Sequence, residues 1–521
     1  MFKVFLVGYY GWNIVGDDCV LQGILDVFRK KNFNCEFIAS SENPTITQRF
    51  YSIKAIHWKD LETVCKTIKE ADLVILGGGG IFNEYDPWRD QEYLTKYQDF
   101  NVFCSSIPVL STYFQTPCVI FSVGVEPLYS EAAKRSVRTS FKLATFSSVR
   151  DFGSKKILNE IGITDDIKVY SDPAFCMELT SVTSKIKESK LTVGVSIRNW
   201  KKNQLQQNWE KEIVSALDSF SNKYNCTYIF LPFQQDSKYG LSNDLEIMNN
   251  IKDLMENKSK VQIIDTPYDF KKIVNYLQQC DMIVGMRYHS IILSIKYSIP
   301  FVGLVYSNKV QSTIERTDMT NFSLNLNSFS YKQLLDCMER CLTNSHKIKK
   351  KLSKISSKMI NEGSKPFNTI ESILSNQYQN SKPVIINDLV SELVSKSFQQ
   401  SDYLGYVNVV MSFIRRYVAE KKFYEAEKLV ESLLNIDSLN PELNYLYAFC
   451  LHYQQNNLEK ALKHYSISLE LGFDEFWTFY NRGSLYLQMN EIEKALEDLN
   501  KAIKLKPNHE GVQTVLNQIS N

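Results

Sequence analysis

Short apolar runs that alternate with helix-forming segments restrict the fold of this 521-residue chain more than any other feature. Strand-like runs of this kind, most of them largely apolar, lie at residues 2–7, 72–76, 118–123, 145–149, 192–197, 227–231, 261–264, 282–284 and 301–305. Runs of this length that are nearly continuous in apolar residues are typical of strands buried on both faces of a parallel sheet. Strands that alternate with helices form βαβ units. We therefore predict an α/β fold with two doubly wound, Rossmann-like domains.

The division of the chain into domains follows from its length and from two polar stretches. A chain of 521 residues is too long for a single core. Residues 181–190 and 376–383 are polar, lack a clear period and resemble linkers. We predict one Rossmann-like domain at 1–180, a second at 191–376 and a third domain at 384–521.

The third domain contains a repeat. Ala461 and Ala495 are 34 residues apart, and the segments Leu-Glu-Lys-Ala-Leu and Ile-Glu-Lys-Ala-Leu surround them. Further residues of the last copy fit the tetratricopeptide pattern, namely Gly483, Tyr486, Ala502 and Pro507. A weaker copy surrounds Ala426. We predict three stacked helix pairs that bind a peptide segment of a protein partner, or that pack on their own chain.

Composition excludes several classes of function. The net charge of +2 gives no global basic field, so no nucleic-acid partner is expected. Eleven scattered cysteines without a CxxC pair favour a reduced, cytoplasmic protein. The opening residues lack the features of a signal peptide, and no apolar run is long enough for a transmembrane segment.

A basic helical segment at residues 345–375 has two interpretations. It carries six lysines between Lys347 and Lys358, while Ile348, Leu352 and Met359 keep one apolar face. The helix either packs this face on a domain and leaves its charges in water, or makes a peripheral contact at the inner face of an anionic membrane.

The segment from 281 to 309 carries the strongest functional signal. A predicted strand ends at Gly285, and Arg287 and His289 follow where a helix begins. Ligands bind at the carboxyl ends of such strands, and helix N-termini favour anions. We predict Arg287 and His289 as catalytic residues, the Arg holding an anion and the His transferring a proton. A lone His is otherwise more often structural.

Two glycine-rich loops also follow strands. The first contains Gly11, Gly16 and Asp17, and we predict that it binds substrate. The alternative is a tight strand–helix turn with Asp17 as the helix cap. The second loop is a run of glycines, and its predicted substrate-binding residues are Gly78, Gly79, Gly80, Asn83 and Glu84. A flexible loop is the alternative for this run.

Further anion ligands are predicted from cations near strand ends. Arg150 and Arg198 each follow a strand, and Lys309 begins a helix just after Tyr306, which we also predict to bind substrate. Each cation alone is equally compatible with a surface ion pair or a solvated side chain. The chain contains no HExxH motif, no Cys/His zinc spacing and no GxSxG elbow, so neither a metal site nor a serine nucleophile is predicted.

Taken in order, these pieces resemble the polysaccharide pyruvyl transferase family over residues 1–309. The matching segments are Gly8–Asp18, Asp72–Phe82, Val123–Leu128, Ser148–Asp151 with Ser171–Pro173, and Arg287–Lys309. The first loop departs from the family pattern, because Ile14 stands where an Asn is common and Asp18 where a Glu is common. The Val125-Glu126 pair also replaces a more Gly-rich stretch.

The resemblance implies a fold like that of the B-type glycosyltransferases, with the active site in the cleft between two domains. It implies transfer of a pyruvyl group from phosphoenolpyruvate, without a cofactor, to two hydroxyls of a cell-surface polysaccharide or its lipid-linked precursor. The product is a cyclic ketal. It further implies His289 as the general acid, Arg287, Arg150, Arg198 and Lys309 as anion ligands, and the glycine loops as the frame for the acceptor sugar.

Two other functions remain open from the sequence. A glycosyltransferase of the same fold would place a nucleotide sugar on the same cations. A non-enzymatic interaction protein would use the tetratricopeptide domain and keep the transferase domain as a degenerate scaffold.

Overall fold

The computed structural model describes residues 1–84, 100–164, 166–179, 190–200, 208–235, 243–265, 267–376, 410–411, 414–434 and 437–520. The chain forms two compact units. One consists of residues 1–87 and 104–381, and the other of residues 88–103 and 382–521.

The first unit begins with a seven-stranded sheet in the order β3-β2-β1-β4-β5-β6-β7, in which all neighbours are parallel. Its strands are β1 (Phe2–Val7), β2 (Cys35–Ser41), β3 (Lys54–His57), β4 (Leu73–Gly77), β5 (Cys118–Val123), β6 (Phe146–Val149) and β7 (Lys168–Val169). The helices of this part are α1 (Val15–Lys30), α2 (Pro44–Tyr51), α3 (Leu61–Glu70), α4 (Phe100–Tyr113), α5 (Glu131–Leu143) and α6 (Phe152–Glu160). The central strands β4 and β5 are buried along their whole length, as their apolar runs predict.

A six-stranded parallel sheet follows in the order β10-β9-β8-β11-β12-β13. Its strands are β8 (Leu191–Ser196), β9 (Cys226–Phe230), β10 (Val261–Ile263), β11 (Met282–Gly285), β12 (Phe301–Val305) and β13 (Ser323–Asn325). Its helices are α7 (Trp209–Lys223), α8 (Asp244–Leu254), α9 (Phe270–Gln279), α10 (Tyr288–Lys296), α11 (Asn308–Arg316) and α12 (Tyr331–Thr343). The prediction of two doubly wound sheets is confirmed. The strand order reverses between β1 and β4 in one sheet and between β8 and β11 in the other, which are the places where such folds bind ligands.

Two helices after the second sheet return to the first one. They are α13 (Ser345–Ser364) and α14 (Pro366–Asn376), and they separate at Pro366, a residue suited to a helix start. The ring of Phe367 lies 5.3 Å from that of Phe28 and 4.9 Å from that of Phe121, both in the first sheet's layers. The predicted linkers at 181–190 and 376–383 lie almost entirely outside the described residues, so the domain limits stay predictions.

The second unit is helical where it is described. Its helices include Phe423–Leu434, Pro441–Tyr453, Leu458–Glu470, Glu475–Gln488, Ile492–Leu505 and Glu510–Ser520, and the described residues among 410–419 are also helical. The repeated Ala461 and Ala495 are fully buried. A Cβ at Gly483 would lie 3.0 Å from Leu499, so the small residues of the repeat stand where helices touch. None of the helices in the described ranges has the length and apolarity that a membrane crossing requires.

Replacement of Phe367 by Ala tests the return of α14 to the first sheet. The change removes a fully buried ring from between Phe28 and Phe121, and we expect it to lower the free energy of unfolding by about 3–5 kcal/mol. Urea denaturation, monitored by circular dichroism, measures this free energy of unfolding. Ile360→Ala, at a side chain that is 39% exposed, is the control and should change stability by less than about 1 kcal/mol. Equal losses in the two variants would contradict the packing.

Candidate active site

The loop between β1 and α1 is bound directly to the second sheet's loops. The backbone N–H of Val15 donates to the Phe233 carbonyl at 2.9 Å, and the N–H of Gln235 donates to the Asn13 carbonyl at 3.2 Å. Asn13 adopts a left-handed conformation, with φ of 55°. These bonds fix the first turn of α1 beside the loop that follows β9.

His289 is the second residue of α10, and its side chain contacts the first turn of α1. A Cβ placed on Gly16 would lie 1.8 Å from His289 Nδ1, so this position of the imidazole requires glycine at residue 16. On its other side, His289 Nε2 lies 3.5 Å from Asp172 Oδ2, which is long for a hydrogen bond. The His289 side chain is 12% exposed. Burial lowers its pKa, although Asp172 opposes this, so the neutral imidazole is favoured at neutral pH.

Arg150 follows β6 and binds the same carboxylate. Its Nη1 donates to Asp172 Oδ2 at 3.0 Å, and its guanidinium lies 4.3 Å from the centre of the Tyr288 ring. Burial opposes ionisation of Asp172, but His289 and Arg150 outweigh it and lower the pKa of Asp172 to about 2. Arg150 is 3% exposed, and its Nε lacks a hydrogen-bond acceptor within the described residues. A buried donor of this kind suits an anionic ligand.

Arg287 forms a forked ion pair with Asp244, the first residue of α8. Arg287 Nε donates to Asp244 Oδ2 at 3.0 Å, and its terminal nitrogen binds Oδ1. The same carboxylate accepts the backbone N–H groups of Phe233 at 3.0 Å and Gln234 at 3.1 Å. Arg287 therefore fixes the loop after β9 against α10. Direct binding of substrate by Arg287 stays a prediction.

Arg198, Tyr306 and Lys309 gather near the start of α11. The Arg198 guanidinium lies 5.2 Å from the Trp200 ring and 5.5 Å from the Tyr306 ring. Lys309 Nζ lies 3.0 Å from the carboxylate of Glu126, which belongs to the loop after β5. Burial opposes ionisation of Tyr306, but the nearby cations outweigh it and lower its pKa. The structure thus places three predicted ligands together.

The glycine run after β4 permits close contact with α1. Gly78 and Gly79 have φ of 73° and 74°, in the left-handed region that glycine tolerates best. A Cβ on Gly78 would lie 1.8 Å from Val20, and one on Gly79 would lie 2.5 Å from the Asp17 carboxylate. A Cβ on Gly80 would lie 3.6 Å from Arg150 Nη2. Packing against α1 therefore already requires glycine at 78 and 79, and their contact with a ligand stays a prediction.

Three other residues that we predict to bind substrate make contacts with neighbouring residues of the protein itself. Gly11, with φ of 77°, packs so closely that a Cβ would lie 2.2 Å from Ser41 Oγ. The Asn83 amide donates to the Gly80 carbonyl at 2.8 Å. The Glu84 carboxylate accepts the backbone N–H of Ser130 at 2.9 Å at the start of α5. Sugar contacts by Asn83 and Glu84 stay predictions.

Two carboxyl groups in the first turn of α1 have raised pKa values. The helix begins at Val15 with Ile14 as its N-cap, so the interpretation of Asp17 as the cap is wrong. Burial raises the pKa of Asp17 to about 7, against the attraction of Arg150. Burial also raises the pKa of Asp18 to about 6.

Asp18 joins the two halves of the first unit. Its carboxylate accepts hydrogen bonds from Tyr51 Oη at 2.6 Å and from Tyr268 Oη. Tyr51 ends α2, beside the first sheet, and Tyr268 precedes α9, beside the second sheet. Sequence reasoning named Asp18 as a departure from the family pattern and missed this role. It also gave no role to Asp172, Asp244 or Glu126, each of which pairs with a predicted cation; Asp172 and Glu126 lay within segments already quoted for the resemblance.

A cavity of about 980 Å³ opens beside Lys309 and Glu126. Its walls include Glu131, Lys134, Arg138, Phe152, Lys156, Gln311 and Glu315, from α5, α6 and α11. This volume is at the upper end of the range for small-molecule sites, roughly 300–1,000 Å³. Within the described ranges no group of three or more His, Cys, Asp or Glu side chains is arranged to hold a metal ion.

Replacement of Asp17 by Asn tests the half-buried carboxyl. Because the pKa of Asp17 is higher in the folded state than in the unfolded chain, the folded state binds more protons, and stability is lost as pH rises from about 4 to about 7. Asp17→Asn should stabilise the protein by about 2–4 kcal/mol at pH about 8 and much less at pH about 4. Urea denaturation at the two pH values measures the difference.

The control for this experiment is Asp253→Asn, at an exposed carboxylate in α8, which should change little at either pH. A gain of equal size at both pH values, or a loss at the higher one, would show that the Asp17 carboxyl is not held in its neutral form by burial.

A candidate UDP-N-acetylglucosamine 2-epimerase from Listeria monocytogenes has a similar structure, with a TM-score of 0.50 and 10% identity over 74% of this chain and 100% of that one. A glycosyltransferase from Rickettsia africae gives a TM-score of 0.47 and 14% identity over 72% of this chain and 99% of that one. At such low identity, the first likeness concerns the fold alone. A search of curated proteins finds no match.

Family models identify both parts of the chain. Residues 476–509 match the tetratricopeptide repeat, which confirms the last of the predicted copies in the helical unit. Residues 15–308 match the polysaccharide pyruvyl transferase model, from the start of α1 to the start of α11, so the match includes every strand of the two sheets except β1 and β13. The chain is therefore a member of the polysaccharide pyruvyl transferase family with a C-terminal tetratricopeptide extension.

Proposed function

We propose that this protein transfers a pyruvyl group from phosphoenolpyruvate to two hydroxyls of a sugar, in a cell-surface polysaccharide or its lipid-linked precursor. The observation that carries the proposal is the position of His289, which lies between Gly16 of the first loop and the Asp172–Arg150 ion pair. A proton-transfer group and a buried guanidinium thus stand together at the contact between the two sheets' loops.

The charges of phosphoenolpyruvate support the assignment. This substrate carries a phosphate and a carboxylate, which favour Arg, Lys and helix N-termini. Helices α10 and α11 follow the neighbouring parallel strands β11 and β12, so both helix N-termini face the same edge of the sheet. Ser307, the N-cap residue of α11, makes no side-chain capping bond, which leaves first-turn N–H groups for an anion. Lys309 and Arg198 add positive charge there.

The proposed reaction has four steps. The His289 imidazolium gives a proton to C3 of the enol, and C2 becomes electrophilic. One sugar hydroxyl attacks C2 and releases its proton. Phosphate then leaves from C2, and the second hydroxyl closes the ketal ring with loss of its own proton. One hydroxyl proton replaces that used at C3, and the other leaves with phosphate.

Asp17 suits the proton removals. Its carboxyl lies in the first turn of α1 beside Gly79, and its pKa of about 7 is close to the value at which a general base works at neutral pH. His289 and Asp17 would then act on the two partners of the reaction, the enol and the sugar.

Outside the reaction, the tetratricopeptide helices would bind a peptide segment of a protein partner, as arrays of this type commonly do. We place the protein in the cytoplasm, where phosphoenolpyruvate is formed and where reduced cysteines are expected.

Substrate identity is tested by thermal stability with candidate ligands. Phosphoenolpyruvate should raise the melting temperature by several degrees, as a ligand in excess over its Kd stabilises the folded state by about 3 kcal/mol. The His289→Ala variant should bind phosphoenolpyruvate with a Kd within about tenfold of that of the unchanged protein. Its rate of phosphate release in the presence of an acceptor glycan should fall by more than about a hundredfold. His346→Ala, at an exposed histidine of α13, is the control and should retain activity. A shift with UDP- or GDP-sugars and none with phosphoenolpyruvate would favour a glycosyltransferase.

Binding of phosphoenolpyruvate should also take up protons. Burial keeps His289 neutral in the free protein, and the two anionic groups of the substrate would raise its pKa, so the imidazole should gain a proton. Calorimetry in two buffers of different ionisation enthalpy, at pH about 7.5, measures the uptake, which we expect to reach up to about one proton. His289→Gln should reduce it, and Asp17→Asn should remove the part due to the carboxyl. An unchanged uptake in His289→Gln would contradict the role of the imidazole.

A further inference from the structure

Helix α13 has two faces of opposite character. One face is buried and holds Ile348, Leu352 and Met359, which are 4%, 0% and 3% exposed. The Ser356 hydroxyl on this face donates to the Lys296 carbonyl at the end of α10. The apolar face of α13 is therefore buried inside the first unit and cannot insert into a membrane.

The other face carries a row of lysines. The row, called the α13 lysine row below, comprises Lys347, Lys350, Lys351, Lys354 and Lys358. Apart from the adjacent Lys350 and Lys351, successive members are three or four residues apart, which places the row on one side of the helix. The row extends along about 17 Å of helix axis, because each residue rises 1.5 Å.

Carboxylates neutralise part of this row. Lys351 Nζ lies 2.6 Å from the Asp318 carboxylate, and Lys358 lies 3.9 Å from Glu362. Lys347, Lys350 and Lys354 are exposed, and within the described residues no carboxylate lies at ion-pair distance from them. Three like charges on adjacent turns repel one another, so an external counter-charge would relieve an unfavourable arrangement.

The shape of the row indicates the kind of counter-charge. A specific phosphate site is concave and uses Arg forks or backbone N–H groups, and single-stranded nucleic acid requires aromatic platforms. The α13 lysine row contains lysines alone, on the exposed face of a helix. Flexible ammonium groups of this kind fit a diffuse, flat layer of negative charge, such as an anionic bilayer.

We propose that the α13 lysine row is an electrostatic contact surface for an anionic lipid bilayer, by which the protein adsorbs without inserting apolar residues. The proposal concerns a surface of the first unit and does not depend on the chemistry proposed for His289. If the acceptor is lipid-linked, adsorption would bring the protein to the layer that holds it.

Vesicle sedimentation of the full-length protein tests the proposal. We expect binding to phosphatidylcholine vesicles that contain about one third phosphatidylglycerol, and none to phosphatidylcholine alone. Binding should be lost at about 0.5 M salt, because screening removes an electrostatic contact. The triple variant Lys347→Gln, Lys350→Gln, Lys354→Gln should bind about a hundredfold more weakly, since each lysine near an anionic surface contributes about fivefold.

A charge-matched control separates the row from net charge. It replaces three exposed lysines elsewhere in the same unit, Lys66, Lys69 and Lys211, by Gln. This control should bind the vesicles as the unchanged protein does, and both triple variants should keep the same melting temperature and the same response to phosphoenolpyruvate. Equal loss of vesicle binding in both variants, binding that persists in high salt, or binding of soluble heparin without binding of vesicles would each overturn the proposal.

Discussion

The close approach of α1 to its surroundings is the constraint on which the rest of the site depends. A Cβ at Gly16 would meet His289, one at Gly78 would meet Val20, and one at Gly79 would meet the Asp17 carboxylate. Glycine at these three positions lets one helix turn touch the loop after β4 and the start of α10 at once. Because the two sheets contribute opposite sides of this contact, any added side chain would separate groups that the proposed reaction needs together.

The charged groups around this contact are fixed in pairs. Asp172 binds Arg150, Asp244 binds Arg287, and Glu126 binds Lys309. Each pair satisfies a charge that would be costly to bury alone. It also holds the cation in one position before a ligand arrives. The positive field for an anionic substrate is consequently smaller than the number of cations suggests, and its direction depends on helix N-termini and on donors that the pairs leave unused.

Sequence patterns predict the central strands better than the edge strands. The runs from Phe2 to Val7 and from Cys118 to Val123 coincide with β1 and β5, because strands covered on both faces need mostly apolar residues, and only Lys3 and Ser122 interrupt these two. Strands β2, β3, β7 and β13 lie toward the sheet edges, contain exposed or half-buried residues, and have no continuous apolar run to identify them.

The candidate site, like the strands, could be predicted from the sequence only in part. Residues at strand ends, such as Arg150 and His289, can be found from their place in the pattern, because the carboxyl edge of a parallel sheet collects them. Their partners cannot be found in this way. Asp244 lies 43 residues from Arg287 in the chain, and Asp172 lies 117 residues from His289, so folding alone brings them together.

The opposite pKa shifts of Asp17 and His289 have a common cause and a joint consequence. Burial favours the uncharged form of each group, so it raises the pKa of the carboxyl and lowers that of the imidazole. At neutral pH the site without substrate therefore carries less charge than its residues would carry in water. A proton is held by the Asp17 carboxyl more readily than by the His289 imidazole. For the proposed reaction the imidazole must be the acid. An anionic substrate close to His289 would favour the imidazolium, whereas Asp17 is already placed near Arg150, which favours its ionisation. Substrate binding would thus convert the neutral imidazole into the acid that ketal formation requires, while Asp17, whose pKa of about 7 leaves it partly ionised at neutral pH, would serve as the base.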